Sequence, residues 1–115
     1  MSKKNASLAP PLAGFNADLS QSSVSGLSSG AFMTVQLHLA HSSTFVGAGI
    51  IAGGPFRCAE SYRAAAAIAE DALTLNALYV CMNPLIPQAA PNPDKLADVA
   101  RDTAAQGLID GVDNL

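Results

Sequence analysis

Residues 22–33 read Ser22-Ser23-Val24-Ser25-Gly26-Leu27-Ser28-Ser29-Gly30-Ala31-Phe32-Met33. The centre of this stretch matches the pattern G-x-S-x-G, with Gly26, Ser28 and Gly30 at its fixed positions. A short extended run precedes the pattern and an apolar helical pattern follows it, which is the strand–turn–helix setting of a nucleophile elbow. We therefore predict that Ser28 is a catalytic nucleophile on a sharp turn between a strand, Leu19 to Ser25, and a helix, Ser29 to about His41.

The residue types around Ser28 suit this chemistry. Glycines at 26 and 30 lack the Cβ atoms that would collide with neighbouring backbone at so sharp a turn. The N–H of Ser29 lies in the first turn of the predicted helix, where the helix dipole favours negative charge, so we predict that it donates to an oxyanion. The alternative interpretation is an ordinary Ser/Gly turn that leads into a helix.

The composition predicts one globular domain and excludes several kinds of partner. Half of the 115 residues are hydrophobic and 13% are charged, as in folded domains. The net charge is −3 and the six Lys and Arg are scattered, so we predict no nucleic-acid partner. We also predict no membrane partner and no signal peptide, because no apolar run approaches ~20 residues and the first residues lack a continuous apolar segment.

The chain after the elbow contains one strong strand signal. The apolar run from Thr44 to Pro55 is bounded by turn residues and predicts a parallel strand buried on both faces. Its small residues are predicted to let the elbow helix approach closely. Gly47 and Gly49 lie inside this strand and no helix opens directly after them, which argues against a dinucleotide fingerprint. We predict no cofactor.

Turn residues and helix-cap residues predict the structure of the two ends of the chain and of its last helix. Residues 1–18 are predicted to be a loose leader, and residues 19–115 the N-terminal part of a single α/β domain. The prolines between Met82 and Pro93 predict a surface loop, after which Asn92 caps an amphipathic helix that ends at Gly107. Residues 108–115 are predicted to be a tail whose apolar side chains have nothing to pack on.

Cys58 and Cys81 have no His or Cys partner at metal-ligand spacing, so we predict no metal site. The sequence leaves two alternatives for them, a pair of buried thiols or one disulfide. Residues 57–82 score as helix throughout, and a single helix would hold the two Cα atoms roughly 35 Å apart. Because a disulfide needs them within about 7 Å, a bridge requires this segment to fold back on itself.

The catalytic partners of Ser28 are incomplete in this sequence. Triads of this type follow the order Ser, then Asp or Glu, then His, and no His follows His41. His38 and His41 lie on the elbow helix roughly 15 to 20 Å along it from Ser28, too far to act as its base. Moreover, fewer than 30 residues precede Ser28, whereas an elbow normally follows several strands. We predict a permuted sheet or a fragment of a larger domain.

A longer set of residues resembles a known family. It comprises residues 24–33 with Gln36-Leu37, then Gly49-Ile50-Ile51-Ala52-Gly53-Gly54-Pro55-Phe56 and Cys58, and finally Cys81-Met82. These residues resemble the extracellular poly(3-hydroxybutyrate) depolymerases, and in particular the circularly permuted type of this α/β-hydrolase family, whose nucleophile lies near the N-terminus. The resemblance runs from about residue 19 to the end and covers about the first third of such an enzyme.

The resemblance implies a partial α/β-hydrolase-like parallel sheet with Ser28 as nucleophile, the Ser29 N–H as oxyanion donor and a disulfide between Cys58 and Cys81. It implies a serine esterase that cleaves polyhydroxyalkanoate esters through an acyl-enzyme intermediate, in an extracellular or periplasmic location. The Asp and His would come from missing C-terminal sequence, with the Asp just beyond Leu115, or from a second chain. Two alternatives are a carboxylesterase acting on soluble or plant-derived esters and a non-catalytic interaction domain that lost its triad.

Overall fold

The computed structural model describes residues 10–62 and 71–115, so residues 1–9 of the predicted leader and 63–70 of the Ala-rich segment lie outside the described residues. The fold is mixed α/β. Its regular elements are strands β1 (Ser23–Leu27) and β2 (Gly47–Ile51), helices α1 (Ser29–Ala40), α2 (Cys58–Ser61), α3 (Ala72–Asn76) and α4 (Pro93–Ala105), a π-helical segment (Ala77–Met82), and 3₁₀ turns at Leu19–Gln21, Pro87–Ala89 and Val112–Asn114.

The first half of the chain forms a β1–α1–β2 unit. The two strands are parallel and paired in register from Ser23 opposite Gly47 to Leu27 opposite Ile51. The predicted strand at 19–25 is wrong at its start, because Asp18 accepts hydrogen bonds from the N–H and hydroxyl of Ser20 and so stabilises a 3₁₀ turn instead. The strand consequently begins at Ser23 and runs up to the residue before Ser28.

The predicted burial of this unit is wrong in the part of the chain that the structure describes. Ile51 is 65% exposed and Ile50 48%, so β2 is not covered on both faces. Helix α1 buries Ala31, Thr34 and Val35, while Met33 is 70% exposed. Parallel sheets are normally covered by helices on both faces. Within 10–62 and 71–115, only one side of this unit is packed.

Two apolar clusters lie along α4. The first consists of Val35, Phe56 and Ala100 with Leu39, Ile109 and Val112 around them, and the second of Cys58, Cys81 and Leu96 with Phe32, Tyr62 and Val80. The predicted cap of α4 is confirmed, since Asn92 Oδ1 accepts from the Lys95 N–H at 3.0 Å. The helix ends at Ala105 and Gly107 follows with φ +71°. Helix α4 therefore joins the α1 side of the core to the disulfide side.

The tail after α4 packs against the core, so the prediction that its apolar residues are unpartnered is wrong for Ile109 and Val112. Polar contacts also hold this tail to the end of α1. Ser42 Oγ donates to the Gly111 carbonyl at 2.9 Å, and the N–H and Oγ of Ser43 donate to Asp110 Oδ2 at 3.0 and 2.6 Å. Sequence periodicity could not indicate this docking, because the partners are separated by 67 to 69 residues.

We predict a pH dependence for this tail contact. The two Ser43 hydrogen bonds hold the pKa of Asp110 below its ordinary value of 3.8. Because the pKa of Asp110 is lower in the folded state, the contact is fully present at pH values above 3.8. It is lost as the pH falls through the lowered pKa. In a pH titration followed by NMR, the Ser43 amide shift should show an inflection below pH 3.8 as the contact is lost. Asp110→Asn should remove this inflection and Asp113→Asn should keep it, whereas an inflection unaffected by Asp110→Asn would contradict the assignment.

Cys58 and Cys81 form a disulfide, with their Cα atoms 6.0 Å apart. A single helix over residues 57–82 is therefore excluded. Helix α2 begins at Cys58, and the chain returns through α3 and the π-helical segment to bring Cys81 back to it. The bridge implied by the resemblance thus requires the folded-back arrangement.

Replacing both cysteines should destabilise the chain. The bridge closes a sequence separation of 23 residues, for which chain-entropy arguments give about 3 kcal/mol. We expect the double variant Cys58→Ser/Cys81→Ser to unfold at a lower urea concentration than the parent chain. Adding reductant should lower the midpoint of the parent and leave that of the double variant unchanged. A parent chain insensitive to reductant would contradict this prediction.

Candidate active site

Ser28 lies between β1 and α1 in a conformation that few residues other than glycine adopt. Its φ is 55° and its ψ −119°. Its N–H donates to the Ile51 carbonyl at 2.9 Å, and its carbonyl accepts from the N–H groups of Ala31 and Phe32 at 2.9 and 3.1 Å. Strained backbone of this kind persists when surrounding contacts determine it, and it clusters at active sites. The bend is therefore fixed by the neighbouring strand on one side and by α1 on the other.

Gly26 allows α1 to pack directly against the end of β1. A Cβ at Gly26 would lie 2.3 Å from the carbonyl carbon and oxygen of Gly30 and 2.7 Å from Thr34 Oγ1. A Cβ at Gly30 would meet no atom within 4 Å. The steric reason that we expected for both glycines therefore holds at Gly26 and not at Gly30.

The small residues after β2 make a second close contact with the elbow helix. A Cβ at Gly53 would lie 2.8 Å from the Ala31 Cβ, and one at Gly54 would lie 2.5 Å from Phe32 Cε1. By contrast, a Cβ at Gly47 would meet nothing within 4 Å. The close approach of α1 that we expected from this strand is present, but the glycines responsible for it follow the strand.

The Ser28 side of the molecule opens into a groove of about 370 Å³. Its lining residues are Ser28, Ser29, Phe32, Leu73, Thr74, Ala77, Leu78 and Met82. Both serines are exposed. The Ser29 N–H is the first of α1, where N–H groups have no acceptor within the helix, and no group of the described residues accepts from it. Ser28 and Ser29 thus line one groove.

A larger apolar cavity of about 720 Å³ lies between α1, α4 and the tail, lined by residues such as Leu39, Phe56 and Leu96. It does not include Ser28, and its lining contains no hydroxyl group. Ester hydrolysis by a serine needs a nucleophile within reach of the substrate, and the larger cavity has none in its lining. We therefore place the candidate site in the smaller groove, which Ser28 lines.

The two histidines, which the sequence analysis considered as possible bases for Ser28, lie outside the groove. His38 is in the last turn of α1 and His41 directly follows that helix, and neither lines the groove. None of the groove residues carries a carboxylate or an imidazole.

Over 10–62 and 71–115, no three His, Cys, Asp or Glu side chains are grouped to hold a metal ion. In the same ranges, no helix has the length and apolar character needed to cross a bilayer.

Sequence reasoning missed the wall of the groove that faces the elbow. This wall consists of residues 73–82, and their only local signal was a high content of Ala and Leu that indicated a continuous helix. The position of this wall opposite the elbow depends on the folded-back segment and its disulfide. The pair of cysteines at 58 and 81 is the one sequence signal that could have indicated this wall.

Curated proteins with similar sequences share one activity in their names. A poly(3-hydroxybutyrate) depolymerase of Delftia acidovorans is 46% identical over 99 residues, which are 85% of this chain and 17% of that protein. A polyhydroxybutyrate depolymerase of Talaromyces funiculosus is 50% identical over 54 residues, 46% of this chain and 16% of that protein. This chain is a relative of the poly(3-hydroxybutyrate) depolymerases. The resemblance read from the elbow and the cysteines is confirmed.

A third depolymerase, poly(3-hydroxyalkanoate) depolymerase C of Paucimonas lemoignei, is 36% identical over 84 residues, 73% of this chain and 16% of that protein. The chain thus spans about a sixth of the length of the depolymerases it matches, a smaller share than the third that we expected. No protein-family model and no solved structure matches it.

Proposed function

We propose that this chain is the nucleophile-bearing part of a serine esterase that hydrolyses polyhydroxyalkanoate polyesters. The observation that carries the proposal is the backbone of Ser28, held at φ 55° between a parallel strand and a helix and exposed to a groove. A serine with no chemical role has no need of this conformation, because glycine adopts it without strain. The names of the depolymerase relatives support the polyester as substrate.

In the proposed reaction, Ser28 Oγ bonds to the ester carbonyl carbon and the Ser29 N–H donates to the oxyanion that forms. The carbon–oxygen bond to the leaving alcohol then breaks, which gives an acyl-serine, and water hydrolyses it in the second step. A serine hydroxyl needs a base to take its proton at neutral pH. The His and Asp of the triad are proposed to come from sequence beyond these 115 residues or from a second chain.

We also propose that residues 19–115 are part of a single α/β-hydrolase domain that acts outside the cytoplasm, in the periplasm or the extracellular space, with residues 1–18 as a leader. One physical reason favours this location. Disulfides such as Cys58–Cys81 form and persist in oxidising compartments.

A chimera tests the proposal. In it, this chain replaces the 99 matched residues of the Delftia acidovorans depolymerase, which supplies the rest of the protein. We expect the folded chimera, checked by circular dichroism against the parent enzyme, to release soluble hydroxy acids from poly(3-hydroxybutyrate) film. Turnover of soluble aryl esters alone would favour the carboxylesterase alternative. A folded chimera without either activity would favour the non-catalytic interaction domain.

A further inference from the structure

The wall that faces the elbow, residues 73–82, is one continuous helical segment. It begins in α3 and ends with the π-helical segment at Met82. We call residues 73–82 the facing wall. It lines the same groove as Ser28 and Ser29, so its position sets the width of the groove opposite them. The esterase proposal above assigns no residue to the task of holding this wall in place.

The first half of the facing wall is held by few apolar contacts. Asn76 is the one buried residue of α3 and is 3% exposed, whereas Leu73 is 60% and Leu75 41% exposed. Most helices in proteins are stabilised by the packing of an apolar face. In α3 the buried side chain is instead a polar amide. The attachment of α3 therefore depends on the hydrogen bonds that this amide makes.

The amide of Asn76 ties α3 to α2. Its Nδ2 donates to the Ala59 carbonyl at 2.9 Å and to the Tyr62 carbonyl. Both carbonyls lie at the end of α2, where carbonyl groups have no donor within the helix. The Cys58–Cys81 disulfide makes a second tie, from the start of α2 to the end of the facing wall. Each half of the wall is thus attached to α2 by a different side chain.

Helix α2 is in turn held by the start of α4. Lys95 Nζ donates to the Ser61 carbonyl at 2.9 Å and lies 4.3 Å from the centre of the Tyr62 ring. The Tyr62 hydroxyl accepts from the Asn92 N–H. These contacts involve neither Asn76 nor the groove residues. Helix α2 is therefore a support of its own, and loss of the Asn76 amide should move the facing wall more than α2.

We propose that Asn76 is a positioning residue of the esterase, which holds the first half of the facing wall at the distance from Ser28 that substrate binding requires. The inference rests on the proposed function. Asn76 acts through the backbone of α3, and its side chain is buried away from the substrate. Without the amide, the disulfide still holds Cys81, so residues 73–76 should move most. The loss therefore falls on substrate binding and not on the chemistry at Ser28.

Kinetics of the Asn76→Ala variant of the chimera test this role. The KM for a soluble hydroxybutyrate ester should rise about 10-fold, because one side of the groove is displaced, while kcat stays within about 2-fold of the parent value. A general loss of structure would instead lower the thermal midpoint and leave the KM of the folded fraction unchanged. An unchanged KM for folded Asn76→Ala would overturn the inference.

The matched control is Thr103→Ala, which also removes a buried polar side chain with two hydrogen bonds. Thr103 is 4% exposed, and its Oγ1 donates to the Val99 carbonyl at 2.6 Å and accepts from Arg57 Nη1 at 3.1 Å. It lies on α4 and does not line the groove. We expect this variant to lose stability, as Asn76→Ala does, but to keep the parent KM. Equal rises in KM for the two variants would overturn the inference.

NMR of the ¹⁵N-labelled 115-residue chain gives a readout that needs no activity. The amide shifts changed by Asn76→Ala should concentrate on residues 72–78 and reach Ser28 and Ser29, with smaller changes at 79–82. If the alanine variant does not fold, Asn76→Thr replaces it, because threonine fills nearly the same volume without the amide. Shift changes confined to α2, with none at the residues that line the groove, would contradict the proposed role.

The two proposals fail in different ways. If the chimera hydrolyses polyester film and Asn76→Ala leaves its KM unchanged, the esterase stands and the positioning role is wrong. If the folded chimera hydrolyses no ester but Asn76→Ala shifts residues 72–78 in the 115-residue chain, Asn76 holds the facing wall and the esterase is wrong.

Discussion

Ser28→Ala should remove ester hydrolysis by the chimera almost completely, with kcat reduced by at least about 10³-fold. The reason is chemical, because the alanine lacks the oxygen that forms the acyl-enzyme bond. The methyl group fits wherever the serine side chain fits, and Ser28 is exposed, so the fold should be unaffected. The measurement is steady-state hydrolysis of a soluble hydroxybutyrate ester, together with a thermal melt of both proteins.

The matched control for this substitution is Ser25→Ala. Ser25 is also an exposed serine, three residues earlier on β1, and it lies outside the groove. We expect this variant to keep the activity of the chimera. Substantial hydrolysis by Ser28→Ala, or equal losses in the two variants, would contradict the assignment of Ser28 as nucleophile.

Gly26→Ala should have the largest effect on the structure of the elbow. The added Cβ would overlap the Gly30 carbonyl group at 2.3 Å, and backbone cannot swing aside as the end of a flexible side chain can. Overpacking of this kind typically costs 1 to 3 kcal/mol and occasionally more, so we expect a loss of about 3 kcal/mol in the free energy of unfolding. Because the displaced α1 carries the Ser29 N–H, activity of the chimera should fall as well.

Gly30→Ala provides the comparison. A Cβ at this position meets no atom within 4 Å, and alanine is favoured over glycine inside a helix by up to about 1 kcal/mol. In urea unfolding of the 115-residue chain, the midpoint of Gly30→Ala should therefore equal or exceed that of the parent chain. The midpoint of Gly26→Ala should lie well below that of the parent chain. Similar midpoints for the two variants would show that β1 and α1 do not approach as closely as described.

Local signals in the sequence predicted much of the fold. The G-x-S-x-G pattern marks the turn at Ser28, and α1 follows it within one residue of the predicted end. Asn92, Pro93 and Gly107 mark both ends of α4, since cap residues act on the adjacent backbone. The parallel strand β2 lies inside the apolar run that predicted it, although it is shorter. These features depend on neighbours within a few residues.

The features that the sequence did not predict depend on distant partners. The docking of the tail rests on hydrogen bonds between residues 42–43 and 110–111. The return of Cys81 to Cys58 overrides a segment whose composition favours one long helix. The groove wall formed by residues 73–82 exists because of that return. In each case tertiary contacts overrode local propensity, which is a weak preference of less than 1 kcal/mol per residue.

The most direct test of Ser28 as an activated nucleophile is covalent labelling of the chimera with a serine-directed phosphonate. After digestion, mass spectrometry identifies the residue that carries the phosphonyl group. We predict one label, on the peptide that contains Ser28, and none in the Ser28→Ala variant. A label on any other serine, or an unlabelled chimera that nevertheless hydrolyses the polyester, would contradict this assignment.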